Sequence, residues 1–174
     1  MKTELKTDRL TLVPIELKYL ESTHSYAGDI ENTKFMIFLP NDSLKETEAF
    51  ILRCQEQWAS DNQTSFEFAI LYDGKHAGGI SLDLLENSSA ELGWIIHRDF
   101  QKKGIATEAA TRIIQFAREE LKVRKFIAHC DAENVPSYRT MEKLGMHRVS
   151  ESGGRRNKSS DEERREYLYE MKIA

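Results

Sequence analysis

The chain has 174 residues, long enough for one domain with a real core, and its 40% hydrophobic and 31% charged content is that of a folded globular protein. With 25 Lys and Arg against 29 Asp and Glu, the formal net charge is -4, which argues against binding along a nucleic-acid backbone, where a basic face must displace counterions. Two cysteines far apart and five histidines without HxxxH spacing indicate neither a disulfide framework nor a metal site; no stretch reads as a signal peptide or membrane span, so the expected setting is cytoplasmic.

In chain order, "RLTLVPI" alternates Leu10 and Leu12 and predicts a first strand ended by Pro14. A weaker helical stretch covers residues 17–26, and "NTKFMIFLPND" reads as an irregular loop rich in apolar side chains. Ser43 and Glu46 form an S-x-x-E capping box, and Leu44, Ile51, Cys54 and Trp58 behind it predict a helix over 44–59. Phe66, Phe68, Ile70 and Tyr72 alternate, Asp73-Gly74 supplies turn residues, and Ile80, Leu82 and Leu84 return, so a hairpin is expected. "AELGWIIH" is apolar on both faces, as in a buried central strand.

After "QKKG" a helix follows with Ala106, Ala110, Ile113, Ile114, Ala117 and Leu121 as its buried stripe, and "KFIAHC" then gives a second strand parallel to the first through a crossover. Pro136 suits the first turn of another helix, with Tyr138, Met141 and Leu144 on one side and Gly145 as its stop. Tyr167, Tyr169, Met171 and Ile173 alternate as a last strand, and the charged run 150–166 is expected to be a mobile hairpin loop. No repeat or linker divides the chain, so residues 1–174 form a single α/β (α+β) domain whose functional centre lies at the strand-to-helix junction near residue 100.

At that junction, Lys102 and Lys103 precede Gly104 and a helix start, where unpaired N–H groups and partial positive charge suit a diphosphate. Gly104 lets a phosphate approach without a Cβ in the way. On spacing alone, a solvated loop before an ordinary helix fits as well. Neither G-x-x-x-x-G-K-[ST] nor G-x-G-x-x-G is present.

"QKKGIA", with Gln101, Gly104 and Ala106 in place, resembles the Q/R-x-x-G-x-G/A signature of the GNAT acetyltransferase superfamily. Together with "DRLTLVP", "AELGWIIHRDFQKKGIATEA" and "AENVPSYRTMEKLGM", it is similar to the branch containing the ribosomal-protein N-terminal (serine/alanine) acetyltransferases, over Asp8 to Met171. The resemblance implies a single mixed sheet of about six to seven strands flanked by about four helices, with a V-shaped splay between the two parallel central strands "LGWIIH" and "KFIAHC". It implies acetyl-CoA as co-substrate and no metal. Ile95, Ile96 and His97 would offer main-chain groups to the pantetheine and thioester. Gln101 belongs to the signature, and Lys102, Lys103, Gly104, Ile105, Ala106 and Thr107 would wrap the diphosphate. Asn134 matches a pantetheine contact, although it suits a helix cap equally. To the family arginine matched by Arg9 we assign a structural role.

The implied reaction moves an acetyl group to a primary amine, a protein N-terminal α-amine or a small molecule, by direct attack in a ternary complex. Glu91 matches the acidic residue of the family's central strand and is the candidate base, acting through a water, with desolvation raising its pKa; the alternative is an acid at a wet strand end that pairs with a neighbour. Many relatives carry a tyrosine acid where this chain has Met141. Asn134-Val135-Pro136-Ser137 instead reproduces the N-x-x-S of the ribosomal branch, making Ser137 the candidate acid or a first-turn serine serving its own helix. His97 and His129 flank the splay and are read as structural, while Trp58 and Trp94 fill core or pocket wall. The acceptor pocket would form from the "NTKFMIFLP" region and the C-terminal hairpin, and polyamines and aminoglycoside-type antibiotics stand beside protein N-termini as acceptors. A coenzyme-binding sensor or assembly protein with little turnover is the alternative function. No nucleic-acid or membrane partner is expected, and a homodimer rests on family habit alone.

Overall fold

Eight strands form one mixed sheet in the computed structural model, which describes residues 3–173. They are β1 (Leu5–Lys6), β2 (Leu10–Pro14), β3 (Ser65–Tyr72), β4 (Lys75–Leu84), β5 (Ser89–Ile96), β6 (Lys125–Asp131), β7 (His147–Arg155) and β8 (Arg164–Lys172), in spatial order β1-β2-β3-β4-β5-β6-β8-β7. Five α-helices are described: α1 (Leu20–Ala27), α2 (Ile30–Thr33), α3 (Leu44–Ala59), α4 (Ile105–Glu120) and α5 (Val135–Lys143). The mixed α/β architecture is therefore as expected, with somewhat more elements. The two-residue β1 and one-turn α2 are too short to carry a periodic signal.

Asp73 (φ 50°) and Gly74 (φ 73°) both take positive φ between β3 and β4, the two-residue turn that the right-handed strand twist favours. Among the described residues the one parallel pairing is β5 with β6, because α4 carries the chain back across the sheet between them. Ile105, Ala109, Ala110, Ile113, Ile114 and Ala117 recur at helical spacing along α4 and are buried in one cluster with Phe66, Phe68, Ile80, Leu82, Leu92 and Phe126. Removing a fully buried aromatic such as Phe68 from that layer would cost about 3–5 kcal/mol. A smaller cluster of Val13, Ile15, Ile51, Cys54 and Ala69 packs α3 on the opposite face. Ser43 caps α3, accepting from the Glu46 N–H at 3.3 Å, while the Glu46 carboxylate reaches the Asp42 N–H at 2.8 Å, one residue outside the usual reciprocal box.

Two expectations need correction. β5 is buried on one face only: Ala90 and Leu92 lie in the core, whereas Glu91, Gly93 and Ile95 alternate onto a face that stays partly exposed. The run 150–166 is no mobile loop either. Most of it is strand, and it carries Arg155 and Asn157 into the interior. Arg155 Nη1 donates to Glu166 at 2.7 Å and Nη2 to the Phe35 carbonyl at 2.8 Å; Asn157 Nδ2 donates to Asp131 at 2.8 Å, and Arg164 brackets Asp131 from the other side. Charges that composition assigns to solvent are thus paired inside.

Candidate active site

β5 and β6 are hydrogen-bonded neighbours over three residues only, Ser89–Glu91 against Lys125–Ile127. Beyond that point β5 continues along β4, as far as Ile96 opposite Gly78, and β6 continues along β8, as far as Asp131 opposite Glu166. Each strand follows its antiparallel partner, so the two part and leave a wedge between them. Main-chain groups lining the wedge therefore have no strand to bond.

Which groups those are follows from the ladder. The His97 N–H donates to the Ala77 carbonyl at 2.8 Å, so by alternation His97 and Ile95 turn their main-chain groups to β4, and Ile96 turns its own to the wedge. Of the three residues expected to serve the thioester, Ile96 is the one so oriented. Its carbonyl accepts from Gln101 Nε2 at 3.0 Å, and the same amide nitrogen donates to Asn32 at 2.7 Å. Gln101 thus braces the turn against α2 rather than presenting its side chain at the cradle.

The cradle itself is built by backbone conformation. Lys102 (φ 63°) and Gly104 (φ 75°) both take the left-handed region, and Gly104 is the N-cap of α4 with no side chain capping the helix. The Ile105 side chain is 2% exposed and anchors the first turn in the core, so that residue offers only its N–H outward. Ala106 and Thr107 follow on the same turn, and Lys102 and Lys103 are exposed beside it. Sequence reasoning gave Arg9 a merely structural role, but its position is more informative. Its Nη2 donates to the Lys103 carbonyl at 2.8 Å and its Nε to Glu108 Oε1 at 2.7 Å, while Glu108 also accepts from the Arg9 N–H and the Thr7 hydroxyl. The first strand's approach thereby fixes the loop that precedes α4.

At the closed end of the wedge Glu91 and His129 meet, Oε2 to Nδ1 at 3.0 Å. Their side chains remain 38% and 32% exposed, so the apolar enclosure expected around Glu91 is not there, and the acid is paired. The hydrogen bond from Glu91 raises the His129 pKa against the opposing effect of burial. Across the wedge, Asn134 precedes α5 without a side-chain cap bond, so the capping role allowed for it is not taken up. The Ser137 hydroxyl sits against the Cys130 thiol, whose pKa burial pushes up to about 11. Tyr138 packs with Tyr167 and Tyr169 and Met141 is 1% exposed, both as core residues. His97 Nδ1 accepts from the Asp99 N–H at 3.0 Å, a local turn role.

One titratable group escaped the sequence reading. Glu67 stands on β3 between the buried Phe66 and Phe68, facing the opposite side of the sheet, and burial followed by the charge of Asp83 pushes its pKa up to about 8. The signal was an acid inside an aromatic alternation, which by itself reads as the wet face of a strand. Among the described residues no cluster of His, Cys, Asp or Glu could hold a metal, and no helix is long and apolar enough to cross a membrane.

Comparison with known proteins agrees with this geometry. The family described as "Acetyltransferase (GNAT) domain" matches residues 9–147. YnaD of Bacillus subtilis, named an uncharacterized N-acetyltransferase, is 29% identical over 145 residues, 83% of this chain and 82% of its own. YdaF of the same organism, named as a candidate ribosomal N-acetyltransferase, is 34% identical over 117 residues, 65% of this chain and 63% of its own. A GNAT-family acetyltransferase structure from Bacillus anthracis superposes with a TM-score of 0.82 at 26% identity, covering 98% of both chains. The microcin C7 self-immunity acetyltransferase MccE, solved with acetyl-CoA and AMP, gives 0.83 at 24% identity over 96% and 94%.

Proposed function

The chain belongs to the GNAT acetyltransferase family and is an acetyl-CoA-dependent N-acetyltransferase, and on that premise we propose that it acetylates a primary amine by direct attack within a ternary complex. The observation that carries this reading is the parting of β5 from β6 with an acid at its apex and an uncapped helix start at its mouth.

The coenzyme supplies a thioester, a carbonyl open to attack with a thiol as leaving group. Lys102, Lys103, Gly104, Ala106 and Thr107 hold its diphosphate through helix N–H groups and two exposed ammonium groups. Asn134, with its side chain left available, contacts the pantetheine arm. The Ile96 N–H donates to the carbonyl oxygen as it gains charge. Glu91 takes a proton from the amine through a water, and Ser137 donates to the departing sulfur. Burial keeps both cysteine thiols protonated, Cys130 near 11 and Cys54 near 12, so neither is suited to a covalent acyl intermediate, which favours direct attack.

The acceptor is a protein N-terminal α-amine or a small-molecule amine. The likeness to YdaF and, at 16% identity and a TM-score of 0.83, to the fold of RimL, titled a ribosomal L7/L12 α-N-protein acetyltransferase, supports the former. A thiol-release screen against N-terminal peptides, spermidine and aminoglycosides is the test, followed by two-substrate kinetics on whichever acceptor responds. Intersecting initial-rate lines support direct attack and parallel lines overturn it. Firm acetyl-CoA binding with no thiol release from any amine would replace the enzyme by a coenzyme-binding protein.

A further inference from the structure

β5 and β6 pair only as far as Glu91 and Ile127, yet the strands run on to Ile96 and to Asp131. Beyond the last pair the ladder no longer sets their separation. The two walls carry different halves of the transfer chemistry: the Ile96 N–H on one, Asn134 and Ser137 on the other. One thioester must meet both, so the spacing has to be held to about 0.5 Å by something outside the sheet.

Hydrogen bonds run from both strand ends to one segment. On the β5 side the Ile96 carbonyl accepts from Gln101 Nε2 at 3.0 Å, and the same nitrogen donates to Asn32 Oδ1 at 2.7 Å. On the β6 side Asp131 Oδ2 accepts from Asn157 Nδ2 at 2.8 Å and Asn157 Oδ1 from Arg155 Nε at 2.9 Å, while Arg155 Nη2 donates to the Phe35 carbonyl at 2.8 Å. Ile96 and Asp131 are the last residues of their strands, and Asn32 and Phe35 are neighbours at i and i+3. A second bond backs each chain: Arg98 Nε to Asp29 Oδ2 at 2.6 Å, and the Lys158 N–H to the Met36 carbonyl at 3.1 Å. Between its anchors the segment is stiff. Thr33 is fully buried, its hydroxyl donates to the Asp29 carbonyl at 2.7 Å, and the Met36 N–H donates to the Thr33 carbonyl at 2.9 Å.

The β6 chain is also unusual in its burial. Among the described residues Asp131 and Arg155 are the only charged side chains that are buried, and Asn157 between them is 2% exposed. A buried ionic network adds little stability over apolar packing of the same volume; a defined geometry is what it contributes here.

We propose that residues 29–36 are a strut holding the open ends of β5 and β6 at a fixed separation, and that Asn32 and Arg155 are positioning residues for acetyl transfer. The positioning role rests on the acetyltransferase reading; the strut itself does not. Asn32 acts through Gln101 on the β5 wall. Arg155 acts through Asn157 on Asp131, whose Oδ1 accepts the Glu133 N–H at 2.9 Å in the turn that leads to Asn134.

The test is hydrogen–deuterium exchange of the coenzyme-free chain, read by mass spectrometry, with steady-state kinetics beside it. Cutting one anchor of a strut loosens the opposite wall, whereas losing a local contact loosens only its own surroundings. Asn32→Ala is expected to speed exchange in residues 132–137 about tenfold. Arg155→Lys, which keeps the charge but not the fork, should do the same in residues 97–101. Asn32→Asp retains the oxygen to which Gln101 donates and should exchange like the wild type. On the amine found by thiol release, Asn32→Ala is expected to lower kcat about tenfold with the acetyl-CoA Kd within about twofold, and Asn32→Asp to restore it. Exchange changes confined to 29–34 and 97–101 in Asn32→Ala, or an Asn32→Asp variant as impaired as Asn32→Ala, overturns the strut. Exchange across the wedge with an unchanged kcat overturns the positioning role. Exchange across the wedge with no thiol release from any amine keeps the strut and overturns the transfer reading instead.

Discussion

Arg9 Nη2 donates to the carbonyl of Lys103 at 2.8 Å, across 94 residues of sequence. A trans peptide points its N–H opposite its carbonyl, so tying the Lys103 oxygen to Arg9 turns the Gly104 N–H the other way, into the cradle. The same guanidinium is held by Glu108, one turn into α4, which locks the direction of both. Arg9→Ala is expected to weaken coenzyme A binding about tenfold while leaving kcat at saturating coenzyme within about twofold. Titration calorimetry and steady-state kinetics read the two numbers separately; a fall in kcat with unchanged affinity would contradict this account.

Gly104 itself should tolerate little. Alanine there must hold a φ of 75°, at about 1 kcal/mol or more, and places its methyl about 3.5 Å from the Arg9 guanidinium. A melting temperature lower by a few degrees with coenzyme affinity reduced more than in Arg9→Ala is the expected pair of outcomes.

The Glu91–His129 contact sets a pH dependence. Glu91 raises the pKa of His129, so the interaction stabilises the fold while His129 is protonated and fades as pH rises through that raised value. Above it Glu91 faces a neutral imidazole. Glu91→Gln should lower kcat by about 100-fold or more with coenzyme affinity intact. It should also bring the His129 titration, followed by NMR, down to lower pH. An unchanged kcat would remove Glu91 from the reaction.

Asp131 is 1% exposed, and although burial opposes it, hydrogen bonds from Arg164, the Glu133 N–H and Asn157 leave its pKa below the ordinary value. Its share of stability is therefore present above about pH 4 and is lost as pH falls through its depressed folded-state value. Asp131→Ala leaves Arg155 and Arg164 without their shared carboxylate and is expected to cost about 3–5 kcal/mol in urea melts at pH 7, a difference from wild type that shrinks as the pH is lowered below about 4.

Much of this was legible in the residues. α3 begins and ends where the Ser43 cap and the Leu44–Trp58 spacing placed it, the Asp73-Gly74 turn makes the hairpin, and the crossover through α4 makes the parallel pair. Local signals of that kind are written in short windows. What stayed hidden depends on contacts far along the chain. Arg155, Arg164 and Asp131 look like solvated charges until β8 brings them together, and Arg9 looks like the start of a strand until α4 arrives beside it. Glu67 was concealed for the same reason: the groups that close around its carboxyl, Gly79 on β4 and Tyr26 on α1, come from elsewhere in the chain.

The β7–β8 tip clasps residues 35–40 chiefly through their main chain. The Phe35, Met36 and Pro40 carbonyls receive Arg155 and Lys158, so the attachment is made mostly through peptide oxygens, with the Phe35 ring against the Arg164 guanidinium as a side-chain contact. Ile37 and Phe38, both outward, can be exchanged by drift or by a laboratory library without loosening the clasp. The course of the segment is thereby held by its backbone, independently of the outward side chains it carries.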